Sequence, residues 1–313
     1  FPLGEGDAAP PRPGAKPEPA AAPLRPQQAI LPAMTDRPET PRGPAAPPEA
    51  SAAERRRARA NPLLAAVRLA AFGTGSLVLL TGYLLARRCA RGRTAKLATS
   101  PRWTRRWALF GTCVMGYTVE TVGAPPPPGT YLTPNHLGYV DILVIASVTP
   151  TFFVAKAEVA SWPLLGLLAG SSDHVFVTRR RSKAMHETSA EIAERLHAGQ
   201  NVCTFLEGTS SGGADVLPFR PSFLQPAIDA GANAVPIASR WLPTRPGIDP
   251  AEDIAYWKDH RMTPHLWRHA GLRGLRVRLA FGRPVAAAGR ERKELAAELH
   301  GEVTRLLDSL AEP

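Results

Sequence analysis

Asn135-His136-Leu137-Gly138-Tyr139-Val140-Asp141 sets a histidine and an aspartate five positions apart, just ahead of an apolar run. On one continuous α-helix the two side chains would point about 140° apart and would not meet. A turn at Leu137-Gly138-Tyr139 removes that obstacle, and Gly138 makes such a turn easy. His136 would then leave a strand, Tyr131-Leu132-Thr133, and Asp141 would open a helix that continues Ile142-Leu143-Val144. Folded that way, Asp141 holds one ring nitrogen of His136 while the other faces a substrate, which is the base-and-orienter half of a catalytic triad. No nucleophilic side chain is needed if the substrate brings its own hydroxyl. The competing reading makes Asp141 a plain helix N-cap, and the pair alone does not separate the two.

Further polar groups follow at intervals. Lys156 stands in Phe153-Val154-Ala155-Lys156-Ala157-Glu158, Arg179 opens Arg179-Arg180-Arg181, and Glu207-Gly208-Thr209 follows Phe205-Leu206. A guanidinium fork matches two phosphate oxygens, a glycine lets a ligand approach the backbone, and carboxyl and hydroxyl groups supply polar contacts. Each also has a plainer explanation: a solvated basic cluster at Arg179–Arg181, a surface lysine at Lys156, a strand-ending turn at Glu207–Thr209.

The elements that must position these groups alternate in kind. Tyr117–Gly123 alternates like a strand, and Pro125–Pro128 make a stiff connector. Phe152–Glu158 reads as strand into helix, Val175–Val177 as a short strand, and Met185, Ile192 and Leu196 as one face of a helix that Gly199 ends. Val202–Leu206 and Val235–Ala238 read as buried strands, with a helix at Pro221–Ala230 between them. Leu275–Phe281 alternates arginine with apolar residues, which predicts an edge strand, and Leu295, Leu299, Val303, Leu306 and Leu310 mark a terminal helix. This alternation predicts an α/β domain over 113–313, with one central, mostly parallel or mixed sheet flanked by helices.

Residues 1–53 predict a disordered tail: fourteen of the 33 prolines fall before position 50, and no apolar period accompanies them. No basic-then-apolar segment opens the chain, so no secretory leader is expected there. Residues 54–112 predict a membrane anchor. Leu69–Ala86 carries no charged residue, and as a helix it would be roughly 27 Å long, close to the hydrocarbon thickness of a bilayer. Gly73, Gly75 and Gly82 weaken it as a soluble helix. Arginines flank both ends, so charge fixes no orientation, and three readings stay open: a single span, a hairpin lying in one leaflet, or a buried core helix.

The net charge of +11 favours phosphate-rich or anionic partners. Aromatics make up only 7% and no nucleic-acid signature is present, so nucleic acid is not expected as a partner. Cys89, Cys113 and Cys203 fit neither a disulfide framework nor a zinc site, and no metal site is expected.

Four motifs stand in one order: Asn135-His136-x4-Asp141, Phe153–Glu158 with Pro163 and Gly166, Phe205-Leu206-Glu207-Gly208-Thr209, and Val235-Pro236-Ile237. Val175-Phe176-Val177-Thr178-Arg179 lies between the second and third. The series resembles the lysophospholipid (glycerolipid) acyltransferase family, over about 119–238 and more weakly to 285. The resemblance implies a membrane-bound O-acyltransferase in phospholipid biosynthesis, working from an acyl-CoA or acyl-carrier protein co-substrate without a further cofactor. Its acceptor would be a lysolipid, first 1-acylglycerol-3-phosphate, and its place the cytoplasmic face of a bacterial inner membrane. His136 and Asp141 would be catalytic, Arg179 would hold the acceptor phosphate, and Glu207, Gly208, Thr209 and Lys156 would line the acceptor site. Leu206 stands in place of the family's usual proline, and Ser210 stands where many lysophosphatidate acyltransferases carry arginine. Ser210-Ser211-Gly212-Gly213 and Pro264-His265-Leu266-Trp267 are more similar to the bacterial branch that includes lyso-ornithine-lipid acyltransferases. Two other classes remain: a non-catalytic basic protein on anionic lipid, and a hydrolase using His136 and Asp141 on water, although no G-x-S-x-G elbow supports a serine hydrolase.

Overall fold

In the computed structural model, residues 60–157, 159, 165–177 and 182–311 are described. The expected tail at 1–53, Glu158, Pro163 and Arg179–Arg181 lie outside the described residues. The first described element is α1 (Pro62–Cys89), and its start is local chemistry: Pro62 needs no N–H partner at the first position, and the Asn61 side chain accepts from Leu64 N at 2.9 Å. A short link leads to α2 (Arg93–Met115), which Gly116 ends in the left-handed conformation. The two helices pack as a hairpin. Their contact depends on α1 glycines, since a Cβ at Gly75 would strike the Phe110 ring and one at Gly82 the Trp103 ring. The glycines that weaken α1 as an isolated helix are therefore the seats for aromatic rings of α2.

The chain continues through β1 (Tyr117–Val122), β2 (Tyr131–Pro134), α3 (Val140–Val148), β3 (Phe152–Lys156), α4 (Leu165–Ser171), β4 (Val175–Val177), α5 (Ser182–His197) and β5 (Val202–Cys203). A 3₁₀ turn at Pro221–Leu224 leads into α6 (Gln225–Asp229), then β6 (Asn233–Trp241), α7 (Met262–Ala270), β7 (Leu275–Phe281), β8 (Val285–Ala286) and α8 (Arg292–Ser309). Among the described residues the strands form one eight-stranded sheet in the order β1-β7-β6-β2-β5-β3-β4, with β8 also on β6. It is mixed: β6 runs antiparallel to β7 and β8, and the other pairings are parallel. Two cores cover its faces. One joins the hairpin, α3 and α7 through Phe72, Met115, Leu143 and Ala270, and the other joins α5 and α8 through Ile192, Leu196, Leu295 and Leu299. Covering on both faces is what a run as uniformly buried as β2 requires.

Two expectations are corrected. Leu275–Phe281 is not an edge strand, because β7 lies between β1 and β6. Its arginines are tolerated inside the sheet because Glu120 of the true edge strand, β1, faces them: Arg278 Nε donates to Glu120 Oε2 at 3.0 Å, and Arg276 lies 3.8 Å from Oε1. The strand expected over Val202–Leu206 stops at Cys203, since the chain turns there and Gly208 N bonds back to Phe205 O at 3.0 Å.

The hairpin is fastened to the sheet domain at both ends. At one end Asn61 N donates to Gly271 O at 3.0 Å and the Arg68 guanidinium donates to the carbonyls of Ala270 and Leu272. At the other, Arg87 pairs with Asp173 and Arg93 with Glu194. On the outside of α1, Leu63, Val67, Leu77, Val78, Leu84 and Leu85 are exposed. One helix among the described residues, α1, is long and apolar enough to cross a membrane.

Candidate active site

Three parallel strands, β2, β5 and β3, deliver their carboxyl ends to one place. That is where ligands bind in open α/β sheets. The chain after β2 carries Asn135 and His136, the chain after β5 carries Phe205 to Ser210, and β3 ends at Lys156. Asn135 is buried and extends the ladder sideways: its amide donates to Ser239 O at 3.1 Å and accepts from Ser239 N at 2.8 Å. It thereby fixes the departure point of the next residue, His136.

The turn after His136 brings the two predicted groups together. His136 Nδ1 lies 2.8 Å from Asp141 Oδ2. The same oxygen accepts the backbone N–H of Leu137 at 2.7 Å and of Gly138 at 3.0 Å. Asp141 sits in the first turn of α3, fully buried, so it is at once the cap of the turn and the partner of the histidine. Gly138 has φ +135°, and a Cβ there would fall 2.8 Å from Tyr256 Cβ, so both conformation and space demand glycine.

Three further contacts hold His136, one on its ring and two on its backbone. Its ring stacks on Phe205 with centroids 3.8 Å apart and planes 22° apart. Its backbone N–H donates to Glu207 Oε1 at 2.9 Å, and its carbonyl accepts from Ser211 N at 2.8 Å. Burial pushes the Glu207 carboxyl up to about 8, only partly offset by the N–H groups of His136 and Leu217, with Asp141 adding a further upward push. Near neutral pH Glu207 is therefore mostly protonated and does not add a second charge beside His136.

His136 lies on the wall of a cavity of about 750 Å³. Gly208, Thr209, Ser210, Lys156 and Phe205 line it near the histidine. The remaining wall is largely apolar, and one side of it comes from the hairpin and α3, with Leu69, Phe72, Leu80 and Tyr83 of α1, Trp107 of α2 and Leu143. Two histidines on this wall stay neutral, because burial lowers His174 and His269 to about 4. The cavity therefore begins at a polar turn and continues as a greasy sleeve under the hairpin.

The predicted residues sort by place. His136 and Asp141 meet. Gly208 and Thr209 reach the cavity, as does Lys156, while Glu207 turns inward onto the backbone of His136. Gly208 has φ +69°, and Arg220 lies across its open face, within 2.6 Å of where a Cβ would be. Phe205, Arg220, Tyr139 and His265 were not singled out for the site by sequence reasoning. Phe205 and Arg220 carried a faint signal, an aromatic just before the Glu-Gly-Thr turn and a cation shortly after it. Tyr139 and His265 each lie in a stretch with a signal of its own, but nothing in the sequence pairs them, because their contact spans 126 positions.

Comparison with known proteins places the chain in a family. The Acyltransferase family profile matches residues 125–240. A 1-acyl-sn-glycerol-3-phosphate acyltransferase of Neisseria meningitidis serogroup B is 33% identical over 163 residues, 51% of this chain and 63% of that protein, so the match spans less than two thirds of that relative. A lyso-ornithine lipid O-acyltransferase of Pseudomonas aeruginosa is 31% identical over 214 residues, covering 68% of this chain and 81% of that one. The crystal structure of the 1-acyl-sn-glycerophosphate (LPA) acyltransferase PlsC from Thermotoga maritima superposes with a TM-score of 0.61 at 20% identity, over 83% of this chain and 98% of that one, which shows a shared fold.

Proposed function

The chain belongs to the acyltransferase family, and on that footing we propose that it transfers a fatty acyl group from an acyl thioester to the hydroxyl of a lysolipid at a membrane surface. The observation that carries this reading is the His136–Asp141 pair standing at the polar end of the apolar cavity. Nδ1 of His136 donates to Asp141, which leaves Nε2 as the base. It takes the proton of the acceptor hydroxyl as the oxygen attacks the thioester carbonyl. When the tetrahedral intermediate collapses, the C–S bond breaks and the imidazolium returns its proton to the departing thiolate. Asp141 keeps the ring oriented and stabilises its charged form. The thioester is already activated, so this chemistry calls for no further cofactor.

The cavity suits acyl chains. From Leu69 to Tyr83 the α1 wall runs about 21 Å at 1.5 Å per residue, longer than the roughly 15 Å that one leaflet of a 30 Å hydrocarbon core provides. The fastening of the hairpin at both ends supports the reading of a helix pair lying in one leaflet. A helix that crossed the bilayer would carry one end away from the sheet domain. Exposed leucines and valines of α1 would enter the acyl region while Arg88, Arg91, Arg102 and Arg106 meet anionic headgroups.

For the acceptor we read 1-acylglycerol-3-phosphate first, with Arg220 and, from the resemblance, Arg179 as cations for the phosphate. Lyso-ornithine lipid is the second reading. Ser210 favours it: its hydroxyl donates to Tyr256 O at 2.6 Å and brings no charge to the turn. A panel of lysolipids with and without phosphate, incubated with the full-length protein and acyl-CoA or acyl-carrier protein and read by mass spectrometry, decides the acceptor. Diacyl product from one acceptor supports the reading, whereas free fatty acid released without any acceptor would favour a hydrolase.

A further inference from the structure

The family profile ends at residue 240, yet the catalytic turn is held from beyond it. The segment from Asp249 to Ala270 meets the turn at three points. Tyr256 N donates to Leu137 O at 2.7 Å, Gly138 packs against the Tyr256 backbone, and the Tyr139 hydroxyl hydrogen-bonds to His265 Nδ1 at 2.9 Å. Tyr139 lies within the turn itself, two residues before Asp141. His265 is buried on α7, edge-on to the Tyr139 ring and stacked between His260 and His269.

The support behind His265 is itself tied down. His269 Nδ1 bonds to Asp253 O at 3.2 Å, its Nε2 meets the Tyr117 hydroxyl, Arg268 pairs with Asp253, and Asp253 Oδ2 accepts from Asp249 N at 2.9 Å. Arg68 of α1 bonds to Ala270 O at 3.1 Å just behind α7. A long chain of contacts thus ends on one hydroxyl in the turn between the histidine and its aspartate.

We infer that Tyr139 and His265 are a positioning pair: their hydrogen bond locks the Leu137-Gly138-Tyr139 turn and so holds Asp141 against His136 Nδ1. The inference rests on the acyltransferase reading for its kinetic consequence but not for its geometric one. Burial lowers His265 to about 4, so it remains a neutral partner for a phenol at physiological pH. Catalytic groups need placement to a fraction of an ångström, and a lost buried hydrogen bond on a short turn is enough to spoil it.

The test uses the full-length protein in detergent. Tyr139→Phe removes one oxygen and keeps the ring. His265→Ala removes the partner, and His265→Asn keeps both a donor and an acceptor near the place of Nδ1. The substrate-free readout is the downfield N–H proton of His136 bonded to Asp141, identified by its loss in His136→Ala. That signal should broaden by exchange in Tyr139→Phe and His265→Ala and persist in His265→Asn. Acyl transfer should show kcat down roughly 10-fold in the first two variants with KM changed by less than about twofold, recovery in the third, and no additional loss in the double variant. An unchanged proton signal in Tyr139→Phe and His265→Ala overturns the inference. Failure of the transferase reading is a separate result, absence of transfer by the unaltered protein, and the proton signal decides the pair in that case too.

Discussion

The His136–Asp141 turn and the cavity under the hairpin differ in how they are specified. Around His136 the contacts are directed: Asp141 Oδ2 accepts three groups, Glu207 Oε1 accepts the His136 N–H, and Phe205 stacks on the ring. The hairpin wall is made of leucines and aromatic rings with few directed bonds. Reaction chemistry needs one geometry, whereas holding a hydrocarbon needs only dry volume of sufficient length. Single-atom changes in the turn should therefore abolish rate without altering which chain is used, and bulk changes in the wall should do the reverse.

The sharpest division comes from Asp141→Asn, which keeps shape but removes the charge facing the ring. It is expected to lower kcat about 100-fold or more, with the acyl-chain profile in competition assays unchanged. A changed chain profile would merge the two regions. Gly138→Ala should cost less, about 10-fold in kcat, because a methyl at φ +135° must push Tyr256 away. In the wall, Leu80→Trp should shift the preferred acyl chain to shorter lengths while kcat for the preferred chain stays within about threefold. Product masses from a mixed acyl-CoA pool check this, and an unaltered profile would remove α1 from the chain site.

The smallest effect concerns stability. Glu207 is raised to about 8 in the fold, so the folded chain holds a proton that the unfolded chain releases near the ordinary glutamate range. Its contribution to stability is therefore fully present at low pH and is lost as pH rises from that range through 8. Glu207→Gln should flatten this slope, seen as a smaller fall in Tm between pH 5 and 8.5 than in the unaltered protein. An equal slope in both would remove burial of Glu207 as its cause.

The sequence shows the turn more readily than the wall. His136, Gly138 and Asp141 lie within six consecutive positions, so spacing and residue type suffice to place them. The alternation of apolar runs likewise suffices for one central sheet, mostly parallel or mixed, flanked by helices. Leu275–Phe281 misled because arginine alternating with apolar residues looks solvent-facing until Glu120, 158 positions away from Arg278, is known to sit opposite. The contact of Tyr139 with His265 stayed hidden for the same reason. The cavity was foreseeable only as a requirement, since the fit of Phe110 onto Gly75 and Trp103 onto Gly82 depends on how two helices face each other.

The most direct test of the central claim is acyl transfer by His136→Ala with saturating thioester and acceptor. Loss of roughly 100- to 10,000-fold in kcat, with the protein folded and still bound to vesicles, is the expected result. Full activity in that variant would contradict the account, because no other described group stands in the same hydrogen-bonded position at the mouth of the cavity.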